Sequence, residues 1–424
     1  MQESWIKNFA ELATTENRKI TLEIMESGLS AIDTEGVILN SIKLEKNILS
    51  VGDKNFVLDN FKKIKVVGFG KSSGEAALAL EKILGSRIEK GAMIGLEKVA
   101  IQHIETFAGT HPRPSQINIE ASKKIYEIIK NSNEDDLIIV LVSGGGSALL
   151  CYPESECEQG IKLYDAFLKT GKTITEINTV RKHLSLLKGG GLAQIAYPAT
   201  VIGLIFSDVP GDNFAEVASG PTYKDKTTIA DAQKIITENN LGEFDLIETP
   251  KEDKYFEKVY NFVLVSNKTA VEAMVRKAQK FNLGVNIIST DLYDEINEAI
   301  KKIFSAQENN TVVLAAGEPS IKVKNKKGKG GRNLHIGLQA IKMKMIGQNS
   351  VFISLASDGL DNSDAAGAVI DKSTIEKVEK LGLDVDDYSD RFDSYPFFQK
   401  TGDMIITGPT GANVSDLMIL LTKK

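Results

Sequence analysis

The sequence predicts an α/β protein of two domains. The first is an N-terminal Rossmann-like α/β/α layer on a mostly parallel sheet, and the second is a C-terminal α/β domain with a mixed sheet. Three observations carry this expectation. Short apolar runs alternate with longer segments of helical periodicity; two glycine-rich turns, VVGFGKSSG (66–74) and IIVLVSGGGSALL (138–150), each continue such a run. The third is length: 424 residues at 42% hydrophobic exceed one compact domain of roughly 100–200 residues.

Taken in order, Ile20, Leu22, Ile24, Met25, Leu29 and Ile32 recur at helical spacing and predict an amphipathic helix that covers a sheet. The runs KVVGF (65–69), AMIGL (92–96), LIIVLV (137–142) and TVIGLIF (200–206) predict strands, with helices over 76–84, 118–130 and 178–196 between them. That rhythm implies right-handed parallel crossovers and a sheet covered on both faces. A second series follows: strands at 262–265, 285–290, 311–316 and 351–357, with helices over 267–282 and near 292–306. Residues 224–260 between the series are strongly polar, which sets a boundary near 235 and gives domains 1–235 and 236–424.

A formal charge of −6 and a pI near 5.6 argue against a general nucleic-acid binder. The first residues form no apolar signal segment, and no run of about 18 apolar residues occurs, so no membrane partner is expected and the cytoplasm is the expected compartment. Cys151 and Cys157 have no further Cys or His set around them, which indicates neither a disulfide framework nor a zinc site.

Successive glycines let backbone approach an anion closely. Three in a row, Gly144, Gly145 and Gly146, carry an entropic cost that a simple connection does not need, so this turn is expected to cradle phosphate with Ser143 and Ser147 assisting. In the first turn, Lys71 after Gly70 would bring an ammonium to the same kind of site. Its fit to the dinucleotide pattern G-x-G-x-x-G is partial, because Gly68 and Gly70 match but Ser73 holds the third position and Gly74 comes one late. The stretch 177–193 places Arg181, His183, Ser185 and Lys188 on one predicted helix ending at Gly189, with Arg181 and Ser185 on one face; a guanidinium there suits a carboxylate. A solvated basic face is the competing meaning, and His183 is given no role. Asp208 sits where a parallel strand ends, a natural place for catalysis or for magnesium, and turn formation is the simpler meaning for Asp212. In the basic stretch 317–333, most lysines read as a solvated face, whereas Gly330 and Gly331 present Arg332 and Asn333 at a helix start. Glu318 ends another strand. Asp358, Asp361 and Asp364 follow a strand without calcium-loop spacing, and Asp358 is nearest the strand end.

In order along the chain stand GFGKSS, GTHPRPS, LVSGGGSALL, INTVRKHLSLLKGGG, SDVPGDNFAEVASGPT, GKGGRN, ASDGLDNSDAAGAVID and GPTGANVSDL. With these motifs the chain resembles the glycerate 2-kinase (MOFRL) family, once labelled hydroxypyruvate reductases, from about residue 20 to the end. The resemblance implies an ATP-dependent kinase with magnesium, acting on the 2-hydroxyl of D-glycerate to give 2-phosphoglycerate, with two α/β domains flanking a cleft and a homodimer allowed for. It carries the family's turn lysine to Lys71, its R-K-H-L-S arginine to Arg181, its S-D-V-P-G-D acid to Asp208, its G-G-R-N pair to Arg332 and Asn333, and its S-D-G acid to Asp358. Lys71, Asp208 and Arg332 are then the catalytic candidates, Arg181, Ser143 and Ser147 hold substrate, Gly70, Gly144, Gly145, Gly146 and Asn333 bind nucleotide or phosphate, and Asp358 holds the metal. Three positions depart from the pattern: Ser115, Asn213 and His335. The competing reading is an NAD(P)H-dependent hydroxypyruvate reductase, with Glu97 as the ribose acid; a silent sugar-acid binder is a third.

Overall fold

The computed structural model describes residues 4–170, 174–209, 211, 213–323 and 328–424. Its compact units are Thr34–Leu264 and a second one made of Met1–Asp33 with Val265–Lys424.

The Thr34–Leu264 unit opens with a small antiparallel sheet, β1 (Ile42–Glu45), β2 (Ile48–Val51) and β3 (Lys54–Val57). Two-residue turns join these strands, with Lys46 and Gly52 in the left-handed region that such turns require. Its main sheet comprises β4 (Lys63–Phe69), β5 (Ile88–Gly95), β6 (Ile104–Ala108), β7 (Asp136–Ser143), β8 (Thr200–Phe206) and β9 (Val259–Val265), in the order β6-β5-β4-β7-β8-β9. The pairings from β6 through to β8 are all parallel. β7 is buried at every position and β8 at all but its first, as expected of central strands covered on both faces. Val67, Phe69, Ile138, Val140 and Val142 from these strands meet Ile125 and Ile129 of the helix Gln116–Ile129 in the core.

The second unit holds β10 (Gly284–Leu292), β11 (Thr311–Gly317), β12 (Ser350–Ala356), β13 (Gly367–Ile370), β14 (Met404–Ile405) and β15 (Asp416–Thr422), in the order β10-β11-β15-β12-β13-β14. β10 runs parallel to β11, and every other pairing is antiparallel, so the sheet is mixed as expected. The last strand of the chain inserts at the centre, between β11 and β12. Its sequence DLMILLT is buried except at the final residue.

The units correct the expected boundary of 235. Residues 236–264 belong with the first unit, because β9 joins the edge of the parallel sheet beside β8. The N-terminal helix Glu16–Ala31, capped by Thr15, packs instead against the helix Asn267–Lys280 of the second unit, where a Cβ on Gly28 would come within 2.9 Å of Met274 Cγ. Arg18 locks that helix. It is 1% exposed and donates from Nε and Nη2 to both Asp371 oxygens (2.7 and 2.8 Å), from Nη2 to Thr374 (2.8 Å) and from Nη1 to Asp403 (2.9 Å). Periodicity announces a helix but not which sheet it will cover. Among the described residues, no helix is long and apolar enough to cross a membrane.

Removing the Arg18 charge leaves Asp371 and Asp403 buried without it. Arg18→Met should therefore cost about 3–5 kcal/mol of stability, read as a lower urea midpoint; an unchanged midpoint would show that the ion cluster is not what holds the N-terminal helix.

Candidate active site

In the first unit the carboxyl ends of β4, β7 and β8 present three adjoining loops, the usual ligand-binding edge of a parallel sheet. The two glycine turns interlock there. The Lys71 N–H donates to the Gly144 carbonyl (2.8 Å), the Ser72 N–H to Ser143 Oγ (3.1 Å) and the Gly70 N–H to the Ile94 carbonyl (3.1 Å). Ser73 Oγ lies 2.6 Å from the Gly70 carbonyl and 3.1 Å from that of Ile94. The donors of the first turn are thus spent inside the fold, and the turn acts as a latch that presents Lys71. Gly70 has φ +123°, and a Cβ there would overlap Ser143.

The second turn is open by contrast. Among the described residues, the Gly144 and Gly145 N–H groups donate to no backbone acceptor. A Cβ on Gly144 would overlap the Asp208 carboxylate, which therefore packs directly on the turn; Gly145 has φ +77°, and its Cβ would stand 3.2 Å from Lys71 Cγ and 3.3 Å from the His111 ring. Gly146 begins the short helix Gly146–Leu149 against Phe69 and Ala218.

Ser147 Oγ is 2.8 Å from Ser219 Oγ. Ser219 donates to Asn178 (3.2 Å), Asn178 to Glu216 (3.0 Å), and Lys182 to the other Glu216 oxygen (2.7 Å), so this chain of bonds fixes the helix Ile174–Lys182 beside the turn. Arg181, in the last turn of that helix, lines a pocket with Ser147, Glu156, Leu184 and the two cysteines. Burial lowers its pKa and the Glu156 charge opposes that. Among the described residues, neither Arg181 nor Lys71 makes a side-chain hydrogen bond or ion pair. Desolvation, with the positive charges of Lys71 and Arg181, pulls the His111 imidazolium down to about 4, although the residue as a whole is exposed.

Two expectations about this region are corrected. The helix predicted over 178–196 ends at Lys182 and a separate one begins at Gly191, with Gly189 (φ +56°) and Gly190 (φ +87°) in the turn between. Ser185 lies in that turn and accepts the Leu187 and Lys188 N–H groups (3.1 and 3.2 Å), so it shares no helical face with Arg181. Cys151 and Cys157, moreover, form a disulfide across Cα atoms 5.4 Å apart. The five residues it brackets include Glu156, the partner of buried Lys188. His183 is wholly buried against the Ile247 carbonyl and Thr227, in keeping with a structural role. Asp212 lies outside the described residues.

In the second unit, Gly317 of β11, Asp416 of β15 and Ala356 of β12 are in register at one end of the sheet. The helix Arg332–Lys342 starts beside them. Arg332 Nε donates to Asp416 Oδ2 (2.5 Å), and Nη1 lies 3.4 Å from Glu318. Asn333 donates to Asp416 Oδ1 (2.8 Å) and accepts from Ser354 (2.6 Å), which leaves its amide fully engaged. Asp361 caps the helix by accepting the Asn333 and Leu334 N–H groups (3.0 and 2.8 Å). Burial opposes the Arg332 charge, but Asp416 and Glu318 outweigh it and hold the guanidinium above its ordinary range. Burial likewise pushes the Asp416 carboxyl up to about 7, against the pull of Arg332. Asp358 is half-buried after β12, and its Oδ1 accepts the Leu360 N–H (3.1 Å). Among the described residues no three His, Cys, Asp or Glu side chains are grouped to hold a metal. Magnesium commonly uses one or two protein carboxylates and takes its other oxygens from phosphates and water, so a lone Asp358 fits that ion.

Of the three departing positions, Ser115 belongs to the capping box of the helix Gln116–Ile129, Asn213 precedes the turn Phe214–Ser219, and His335 stacks on Phe392 at 4.8 Å in the core. Sequence reasoning gave no role to His111 or Asp416, although both stand in the quoted motifs GTHPRPS and GPTGANVSDL.

Comparison with known proteins gives the family of the chain. Residues 20–246 match the family described as "Domain of unknown function (DUF4147)" and residues 311–416 the MOFRL family. The chain is 34% identical to a glycerate 2-kinase of Pyrococcus horikoshii and 32% to a D-glycerate 2-kinase of Thermotoga maritima, each over 95% of this chain and 97% of the relative. It is also 34% identical, over 84% of its length, to a putative hydroxypyruvate reductase of Agrobacterium vitis. The crystal structure of the Thermotoga maritima glycerate kinase superposes with a TM-score of 0.84 at 31% identity, over 95% of this chain and 99% of that one.

The downward shift makes His111 neutral through the physiological range. An NMR titration should give a midpoint near 4, and Lys71→Met, by removing a positive neighbour, should move it up toward the ordinary value of about 6.5. A wild-type midpoint already at the ordinary value would mean that Lys71 and Arg181 do not act on the ring.

Proposed function

Since this chain belongs to the glycerate 2-kinase family, we propose that it transfers the terminal phosphoryl group of ATP to the 2-hydroxyl of D-glycerate, releasing ADP and 2-phosphoglycerate. The observation that carries this reading is the open glycine turn flanked by Lys71 and Arg181, two cations without a side-chain partner among the described residues. Charge that a protein desolvates and leaves unpaired is compensated when an anion binds.

In this reading Arg181 holds the glycerate carboxylate through paired N–H donors, with Ser147 in the same pocket. The N–H groups of Gly144, Gly145 and Gly146 cradle phosphate oxygens, and Gly70 contributes by allowing the latch that presents Lys71. Asp208 takes the proton of the 2-hydroxyl while that oxygen attacks the terminal phosphorus and the bond to the bridging oxygen of ADP breaks. Lys71 neutralises charge on the moving group, and Arg332, which the family resemblance makes catalytic, offers its guanidinium to an anionic reactant at the sheet edge of the second unit. Ser143 and Asn333, whose side chains are already bonded within the protein, act by holding the first turn and the Arg332 helix in place. Asp358 would hold magnesium, which when bound lowers the negative charge of the ATP phosphates. His111, neutral beside two cations, adds no charge of its own.

The test is a coupled assay with D-glycerate, ATP and magnesium, using enolase without a mutase so that only 2-phosphoglycerate gives signal. Turnover is the expected result; silence together with NAD(P)H oxidation on adding hydroxypyruvate would favour the reductase reading. In the same assay Lys71→Ala should lower kcat by about 10²-fold or more, and near-normal turnover would remove Lys71 from the chemistry.

A further inference from the structure

We propose that Asp416 is a positioning residue for the transfer reaction, clamping the Nε edge of Arg332 so that the terminal nitrogens of the guanidinium are presented to the anionic reactant. The inference rests on the kinase reading and on Arg332 acting within it.

Four features of the second unit support it. Asp416 is the first residue of β15, whose ladder partners at that level are Gly317 on one side and Ala356 on the other, so its backbone is held from both sides. Its side chain is 6% exposed, and its two oxygens have separate duties: Oδ2 takes Arg332 Nε at 2.5 Å and Oδ1 takes Asn333 Nδ2 at 2.8 Å. Asn333 is in turn fixed by Ser354 and by the Asp361 cap, so the carboxylate is part of a connected frame and not a loose surface pair. The guanidinium itself is asymmetric. Its Nε edge is tightly held, whereas among the described residues Nη1 and Nη2 meet only the 40%-exposed Glu318, at 3.4 Å.

A planar guanidinium held along one edge offers its remaining N–H groups in a fixed direction, the geometry that paired recognition of phosphate or carboxylate oxygens requires. Lysine could not be held this way, because an ammonium has no second edge. Glu318 is a weak competitor that an incoming anion can displace. Changing Asp416 to Asn keeps the shape and one acceptor but turns the other end into a donor facing the Asn333 amide, so it loosens the frame without opening a cavity.

The test is a kinetic cycle on the full-length protein with Asp416→Asn, Arg332→Ala and the double variant, recording kcat and KM for glycerate and ATP. Asp416→Asn should lower kcat by roughly 10- to 100-fold, the scale of a small misplacement at a reacting centre, with KM changed far less. That loss should vanish in the Arg332→Ala background, since a residue acting through Arg332 has nothing left to position. Asp416→Glu, which restores the charge one methylene away, should recover part of the activity, and it replaces Asp416→Asn in the cycle if the latter does not fold. Losses that multiply independently in the double variant, or wild-type kcat in Asp416→Asn, overturn the proposal while leaving the kinase reading intact. Wild-type kcat in Arg332→Ala overturns the proposal by removing Arg332 from the chemistry. A wild-type protein silent in the kinase assay removes the underlying reading as well.

Discussion

The arrangement at the carboxyl ends of the parallel sheet hangs on one backbone hydrogen bond, from the Lys71 N–H to the Gly144 carbonyl. It holds the turn after β4 against the turn after β7, and the bond from Ser72 N–H to Ser143 Oγ braces the same junction. Such closeness excludes side chains. A Cβ at Gly70 would overlap Ser143, and one at Gly144 would overlap the Asp208 carboxylate. Because these contacts tie the two turns together at the strand ends, Lys71, Asp208 and the N–H groups of the turn are set before any ligand arrives, which is the condition for electrostatic stabilisation without reorganisation.

Against that frame, the distribution of charge separates structure from chemistry. Buried Lys65 meets Asp136, Lys182 meets Glu216 and Asp225, and Lys188 meets Glu156. Arg18 is satisfied by two carboxylates and a hydroxyl. Each of these cations has its desolvation offset inside the protein. Lys71 and Arg181, among the described residues, make no such pair, although the Glu156 charge acts on Arg181, and they flank the turn whose Gly144 and Gly145 N–H groups donate to no backbone acceptor. Arg332 is intermediate, one edge held by Asp416 and the other, among the described residues, meeting only Glu318 at 3.4 Å.

Parts of this site were legible in the sequence because the local constraint is severe. Three consecutive glycines after a buried strand are costly unless backbone or ligand must come close, and an acid placed where a parallel strand ends has few structural duties. The role of Asp416 was illegible, since it depends on β15 pairing with both β11 and β12. His111 stood in a quoted motif, but the desolvation and the Lys71 and Arg181 charges that lower its pKa come from the fold, which no spacing reveals. The helix expected over 178–196 breaks at Lys182 because Ser185 and the left-handed Gly189 and Gly190 satisfy the backbone as a turn; helical periodicity cannot exclude that outcome. The disulfide was likewise missed, because pairing of two cysteines depends on how the chain between them folds.

Taken alone, the sequence determined the α/β class, the strands β4, β5, β7, β8 and β9 to β12 with several of the helices between them, the two glycine turns and the acid after β8, because periodicity, glycine and strand-end chemistry are local properties of the chain. The order of strands and the membership of segments were decided by tertiary structure. The N-terminal helix joined the second unit through Arg18, whose partners lie more than 350 positions away, and β15 took the centre of a sheet formed by strands that precede it. Tertiary structure also decided which charged groups are spent. Pairing of buried charge depends on distances between residues remote in sequence, and only the folded chain brings those residues together.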